Sequence, residues 1–96
     1  MENEVKASDL IKVQQEKEAR KTDTYYKIYK LVEKKICIAS SSNLYYTWYQ
    51  IPEFFVGLPL YSLRECINYI ENKLSKNGFT VEYYEPNILL IKWFST

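Results

Sequence analysis

Apolar residues are sparse in the first 21 positions, where Leu10, Ile11 and Val13 form the only larger apolar group after Val5. So small a cluster gives a helix little to bury. Residues 1–21 therefore read as a charged amino-terminal extension, helical or flexible, with Ser8 or Asp9 as N-cap candidates. Residues 22–96 read as a compact domain. Within it Tyr25, Tyr29, Val32, Ile36 and Ala39 recur at spacings of four, three, four and three, one stripe of a helix that Ile28 and Leu31 widen. This predicts a helix over 24–39, capped by Thr22 or Asp23 if the chain breaks there. Without a break, a single helix runs from about 8 to 39. Ser40 to Asn43 end it.

The segment LYYTWYQI, residues 44–51, is aromatic and β-branched, stops at Pro52 and reads as a strand. Leu44, Tyr46 and Trp48 lie on one of its faces, and Tyr45, Tyr49 and Ile51 on the other, so both sides are candidates for cover. A second helix starts near 63. Ser62 and Glu65 stand in capping-box relation, and Tyr61 is placed to staple onto Cys66. Leu63, Cys66, Ile67, Ile70 and Leu74 form its stripe, and Gly78 suits the left-handed position that closes it at 76 or 77. Two further strands flank Pro86 and Asn87. A three-residue loop, Glu85 to Asn87, opposes Phe79 with Trp93, Val81 with Ile91 and Tyr83 with Leu89, which makes one face wholly apolar. The other keeps Ile88 and Leu90, so part of it is a candidate for cover too.

The order helix, strand, helix, strand, strand predicts an α+β fold, a three-stranded antiparallel sheet with both helices packed on one face. With 96 residues, such a domain buries only about two-thirds of its unfolded surface. A partner could add to its stability. The net charge of +1 offers little field to steer nucleic acid or anionic lipid. No apolar run approaches the ~18 residues of a membrane span, and MENEVKASDL lacks a signal-peptide core, so a cytosolic protein is expected.

Chemistry is thinly represented. Histidine is absent and the cysteines are Cys37 and Cys66 alone, so the usual zinc sets cannot form within one chain. Both thiols read as small core residues. No glycine-rich phosphate loop occurs, and Ser40 to Ser42 have no histidine base. Glu65 and Glu82 have structural explanations, while Glu53 and Glu85 fall in loops. No catalytic residue, cofactor or metal is expected.

Two binding readings remain. Lys21, Lys27, Lys30 and Lys34 interleave with Tyr26 on the first helix, the ingredients of a single-strand nucleic-acid site. Against it, residues 1–35 carry nine basic and seven acidic side chains, a net of +2, which fits a solvated helix face. The stronger reading is a protein interface built from Tyr45, Tyr46, Trp48, Tyr49, Phe54 and Phe55, since interfaces favour tyrosine and tryptophan and so small a core cannot hold them all. The run IPEFFVGLPLY, residues 51–61, is either a loop folded inward over the end of the sheet or an exposed apolar patch.

Tyr49, Ile51, Pro52, Phe54, Gly57, Pro59, Tyr61, Cys66 and Tyr69, followed by NGFTVEYYEPNILLIKW, resemble a family of short uncharacterised proteins of nucleocytoplasmic large DNA viruses, the giant viruses of algae and amoebae. The likeness spans about residues 24 to 94. The resemblance implies no catalytic residues. It implies a viral protein made in host cytoplasm, with packaging in the virion as an option, and a minor capsid or assembly role. Its partners would be other virion or assembly proteins, with a homo-oligomer as an alternative.

Overall fold

The computed structural model describes residues 4–94. It contains helix α1 (Ala7–Ser41), strand β1 (Tyr46–Gln50), helix α2 (Leu63–Lys76), and strands β2 (Thr80–Tyr84) and β3 (Ile88–Lys92). The element order and the fold class match the expectation from the sequence.

The first helix takes its long form. Neither Thr22 nor Asp23 caps a shorter one: the hydroxyls of Thr22 and its neighbour Thr24 donate back to the carbonyls of Glu18 and Arg20, each at 3.0 Å, and Asp23 pairs with Lys27 at 3.1 Å within the helix. This keeps both threonines compatible with a helix interior. With 35 residues, α1 is about 52 Å long, which accounts for the 67 × 26 × 24 Å extents of the molecule. Among the described residues nothing before Thr24 is buried, so the first half of α1 projects from the body.

From there the stripe packs as the spacing requires, with Tyr25, Ile28, Tyr29, Val32, Ile36 and Ala39 buried. Two neighbours turn out differently. Leu31 and Cys37 are exposed, because each is rotated about 100° around the axis from a buried neighbour, Val32 or Ile36. Cys37 is thus a surface thiol and not a core residue.

Both helices end in Schellman motifs. After α2, Gly78 has φ +91°, Phe79 N–H donates to Leu74 O at 3.0 Å and Gly78 N–H to Ser75 O at 3.1 Å. After α1, Asn43 takes the left-handed position at φ 63°, and the N–H groups of Leu44 and Asn43 donate to Ala39 O and Ser40 O. Leu44 is consumed by this motif, so β1 begins at Tyr46 and not at 44.

The sheet order is β1-β3-β2, antiparallel throughout. Val81 faces Ile91 and Tyr83 faces Leu89, the register that a three-residue loop requires. The rings of Phe79 and Trp93 meet edge to face at 6.1 Å. Leu89 and Ile91 join the buried residues of both helices in one core with Ile51, while Tyr49, Phe79, Val81 and Trp93 pack at its margin. Helix α1 lies over β1 and α2 over β2. Among the described residues, no helix covers the opposite face of the sheet.

Candidate protein interface

The bare face is set by strand parity. Its three rows, read from β1 through β3 to β2, are Tyr46, Lys92 and Thr80; Trp48, Leu90 and Glu82; and Gln50, Ile88 and Tyr84. Trp48 and Tyr84 lean together across the central strand with ring centroids 5.5 Å apart. Between them Leu90 is only 8% exposed, whereas Tyr46 and Trp48 remain 45% and Tyr84 46% exposed. The polar corner is organised as well. Lys92 Nζ lies 3.2 Å from Glu82 Oε1, and the Tyr84 hydroxyl donates to Glu82 Oε2 at 3.0 Å. Both bonds hold the Glu82 carboxyl below its ordinary range.

The six residues expected at an interface are therefore not one patch. Tyr46 and Trp48 are on the bare face. Tyr49 turns inward against the core, with Lys35 Nζ 5.6 Å above its ring. Tyr45 is exposed at the end of the strand, where its ring meets Phe94 at 6.3 Å. Phe54 and Phe55 lie in the loop after β1. Three residues absent from that set, Tyr84, Ile88 and Leu90, complete the surface around Trp48. The hairpin register already puts all three on the outer side, and pairing β1 with β3 joins them to Trp48.

The loop 51–61 combines both readings of its sequence. Ile51, Phe55, Leu58 and Tyr61 face the core. Phe54, Val56 and Leu60 face out, 62%, 95% and 86% exposed. Gly57, at φ +90°, supplies the left-handed third position of a turn closed by Leu58 N–H to Phe55 O at 3.2 Å. The loop is tied down at its start. Ile51 N–H donates to Asn87 O at 2.8 Å, the Asn87 side-chain amide donates to Ile51 O at 2.7 Å, and the Tyr61 hydroxyl donates to Pro52 O.

The lysine and tyrosine face of α1 finds partners within the chain. Lys21 pairs with Glu18 at 3.7 Å, Lys27 with Asp23 at 3.1 Å and Lys30 with Glu33 at 3.0 Å, and Lys34 is exposed. Lys30 and Lys73 lie 5.5 and 5.1 Å from the centroid of the Tyr26 ring. Lys73 also lies 5.4 Å from Tyr29 and 5.5 Å from Tyr69, so three rings surround one ammonium at the α1–α2 junction. These contacts cancel much of the local positive charge and occupy the aromatic surface that base stacking would use.

Titratable groups at the helix junction serve structure. The Tyr25 hydroxyl donates to Glu65 Oε2 at 2.8 Å, while Ser62 Oγ accepts from Glu65 N–H at 3.3 Å. Burial first, and the bond to Glu65 second, push the Tyr25 phenol up to about 12. Burial likewise raises the Cys66 thiol to about 12. That suits an inert core cysteine. Among the described residues, no group of three cysteine or carboxylate side chains is placed to hold a metal, and no helix is long and apolar enough to cross a membrane.

Comparison with known proteins places this architecture. Residues 5–75 match the family of unknown function DUF5759, and the chain belongs to that family. It is 36% identical over 77 residues to uncharacterized protein R447 of Acanthamoeba polyphaga mimivirus, an alignment covering 76% of this chain and 63% of the relative. The family is thus one of uncharacterised giant-virus proteins, as the sequence resemblance implies. The match reaches into the projecting half of α1, well before the start of the resemblance near residue 24. No solved structure matches the chain.

Proposed function

We propose that the chain is a non-catalytic protein-interaction module of a giant virus, a minor structural or assembly protein that docks through the bare face of its sheet. The observation that carries this reading is the cluster of Trp48, Tyr84, Ile88 and Leu90, with Tyr46 beside it, on a sheet face without a helix. Aromatic side chains give large contact area at small entropic cost and dominate binding hot spots. The projecting half of α1 adds a second surface that the fold itself does not use. Its partners would be virion or assembly proteins, a second copy of the chain among them, met in the host cytoplasm and carried into the particle with it. The internal ion pairs of α1 weigh against the nucleic-acid alternative through Lys21, Tyr26, Lys27, Lys30 and Lys34.

The test separates assembly from folding. The double variant Tyr46→Ala, Trp48→Ala should keep the circular dichroism and cooperative unfolding of the wild type. A tagged copy made in infected cells should then lose its place among particles or large complexes in a density gradient. Unchanged sedimentation with the fold intact contradicts the proposal.

A further inference from the structure

We infer that the bare face is built to pair with the same face of a second copy, the two sheets crossing near a right angle. This rests on the docking reading above and names its partner. The argument is the placement of charge. In the register, Lys92 is one step along β3 from Leu90, and Glu82 is one strand across from it. A two-fold axis lying in the interface along the diagonal Gln50, Leu90, Thr80 exchanges those two directions. It brings Lys92 of each copy over Glu82 of the other, Trp48 over Ile88, Tyr46 over Tyr84, and the centre of the face, Leu90 beneath the Trp48 and Tyr84 rings, onto its own counterpart. Strands spaced ~4.8 Å and same-face residues spaced ~6.8 Å leave each of these pairs within about 2–3 Å laterally.

Orthogonal crossing is one of the two packings that sheets adopt face to face. The alternatives fit worse. An axis parallel to β3 stacks Lys92 on Lys92 and Glu82 on Trp48. An axis perpendicular to it puts Lys92 on Ile88. Only the diagonal arrangement sets every charge against its opposite and every apolar or aromatic group against another. The Lys92–Glu82 pair within each copy, at 3.2 Å, then becomes half of a four-membered ring of alternating sign.

The footprint of three five-residue strands is about 250 Å² per copy, well below the ~800 Å² per partner of a standard stable interface. The dimer is therefore weak. It forms where local concentration is high, as in an assembling particle.

Light scattering over a concentration series to about 1 mM should show a mass rising from monomer toward dimer. Glu82→Lys alone and Lys92→Glu alone should each hold the chain monomeric. An equimolar mixture of the two variants should restore the dimer as a heterodimer, since every crossing contact then regains opposite charges. Should either charge variant fail to fold, Gln50→Cys in a Cys37→Ser background provides an independent readout. Gln50 lies on the axis, so the thiols at this position face each other across the ~10 Å between packed sheets, too far for a direct disulfide, and a bismaleimide of that span should link the two chains. A chain monomeric throughout the series, no recovery in the mixture, or no cross-link through position 50 overturns the dimer. If the dimer fails while Tyr46→Ala, Trp48→Ala still abolishes particle association, the docking reading stands with a different partner. If particle association also survives the double variant, both fail.

Discussion

Asn87 and Ile51, from segments 36 residues apart, hold each other by two hydrogen bonds. The Ile51 N–H reaches the Asn87 carbonyl at 2.8 Å, and the Asn87 amide reaches the Ile51 carbonyl at 2.7 Å. Both residues are buried. This clasp fixes the hairpin turn to the end of β1 and sets the departure of the 51–61 loop. Replacing Asn87 with Ala leaves a buried carbonyl without its donor, which costs about 1–3 kcal/mol. Urea unfolding of Asn87→Ala should show that loss as a lower midpoint with an unchanged slope.

The Tyr25 phenol predicts alkaline lability. Its ionisation is pushed from 10.0 up to about 12 in the fold, so the folded state holds a proton that the unfolded chain releases first. That contribution is complete below pH 10 and is lost as pH rises toward 12. Tyr61 and Cys66 are raised to about 12 as well, chiefly by burial, and act in the same direction. The unfolding midpoint should therefore begin to fall above pH 9, where the Cys66 contribution starts to be lost, and fall steeply between pH 10 and 12. Tyr25→Phe should be less stable at pH 7 by about 1 kcal/mol, with a shallower alkaline decline.

Lys73 tests the aromatic junction of the helices. Its ammonium lies 5.1 to 5.5 Å from the rings of Tyr26, Tyr29 and Tyr69. Lys73→Met keeps the aliphatic stem and removes the charge, so stability should drop by about 1 kcal/mol. Lys73→Arg should retain most of it. Equal losses in the two variants, measured by urea unfolding, would assign the effect to packing.

The projecting half of α1 should be dispensable for folding. Among the described residues, none before Thr24 is buried. Deleting residues 1–19 should change the unfolding free energy by less than about 0.5 kcal/mol. A larger loss would mean that the extension supports the body.

Periodicity made much of the fold legible. The stripe from Tyr25 to Ala39, the stripe of α2 with its Ser62 cap and Gly78 stop, and the hairpin register all follow from local spacing. That spacing is a property of single elements. The sequence leaves the length of α1 open because Thr22 and Asp23 are as compatible with a cap as with a helix interior. Cys37 reads as core and is exposed, because an apolar residue beside a helical stripe looks like part of it until its rotation is fixed. The candidate surface was half visible. Trp48 and Tyr46 stand out by residue type, and Ile88 and Leu90 by parity. Their union depends on β1 pairing with β3, a long-range contact that no local pattern specifies. The Asn87–Ile51 clasp was invisible for the same reason.

The most direct test of the central claim is oxidative footprinting of Trp48, Tyr46 and Tyr84 in complexes isolated from infected cells, compared with the purified dilute chain. Docking through the bare face predicts that all three are strongly protected in the complex while exposed Tyr45, at the end of the strand, changes less. Equal oxidation of the three residues in both states would contradict it.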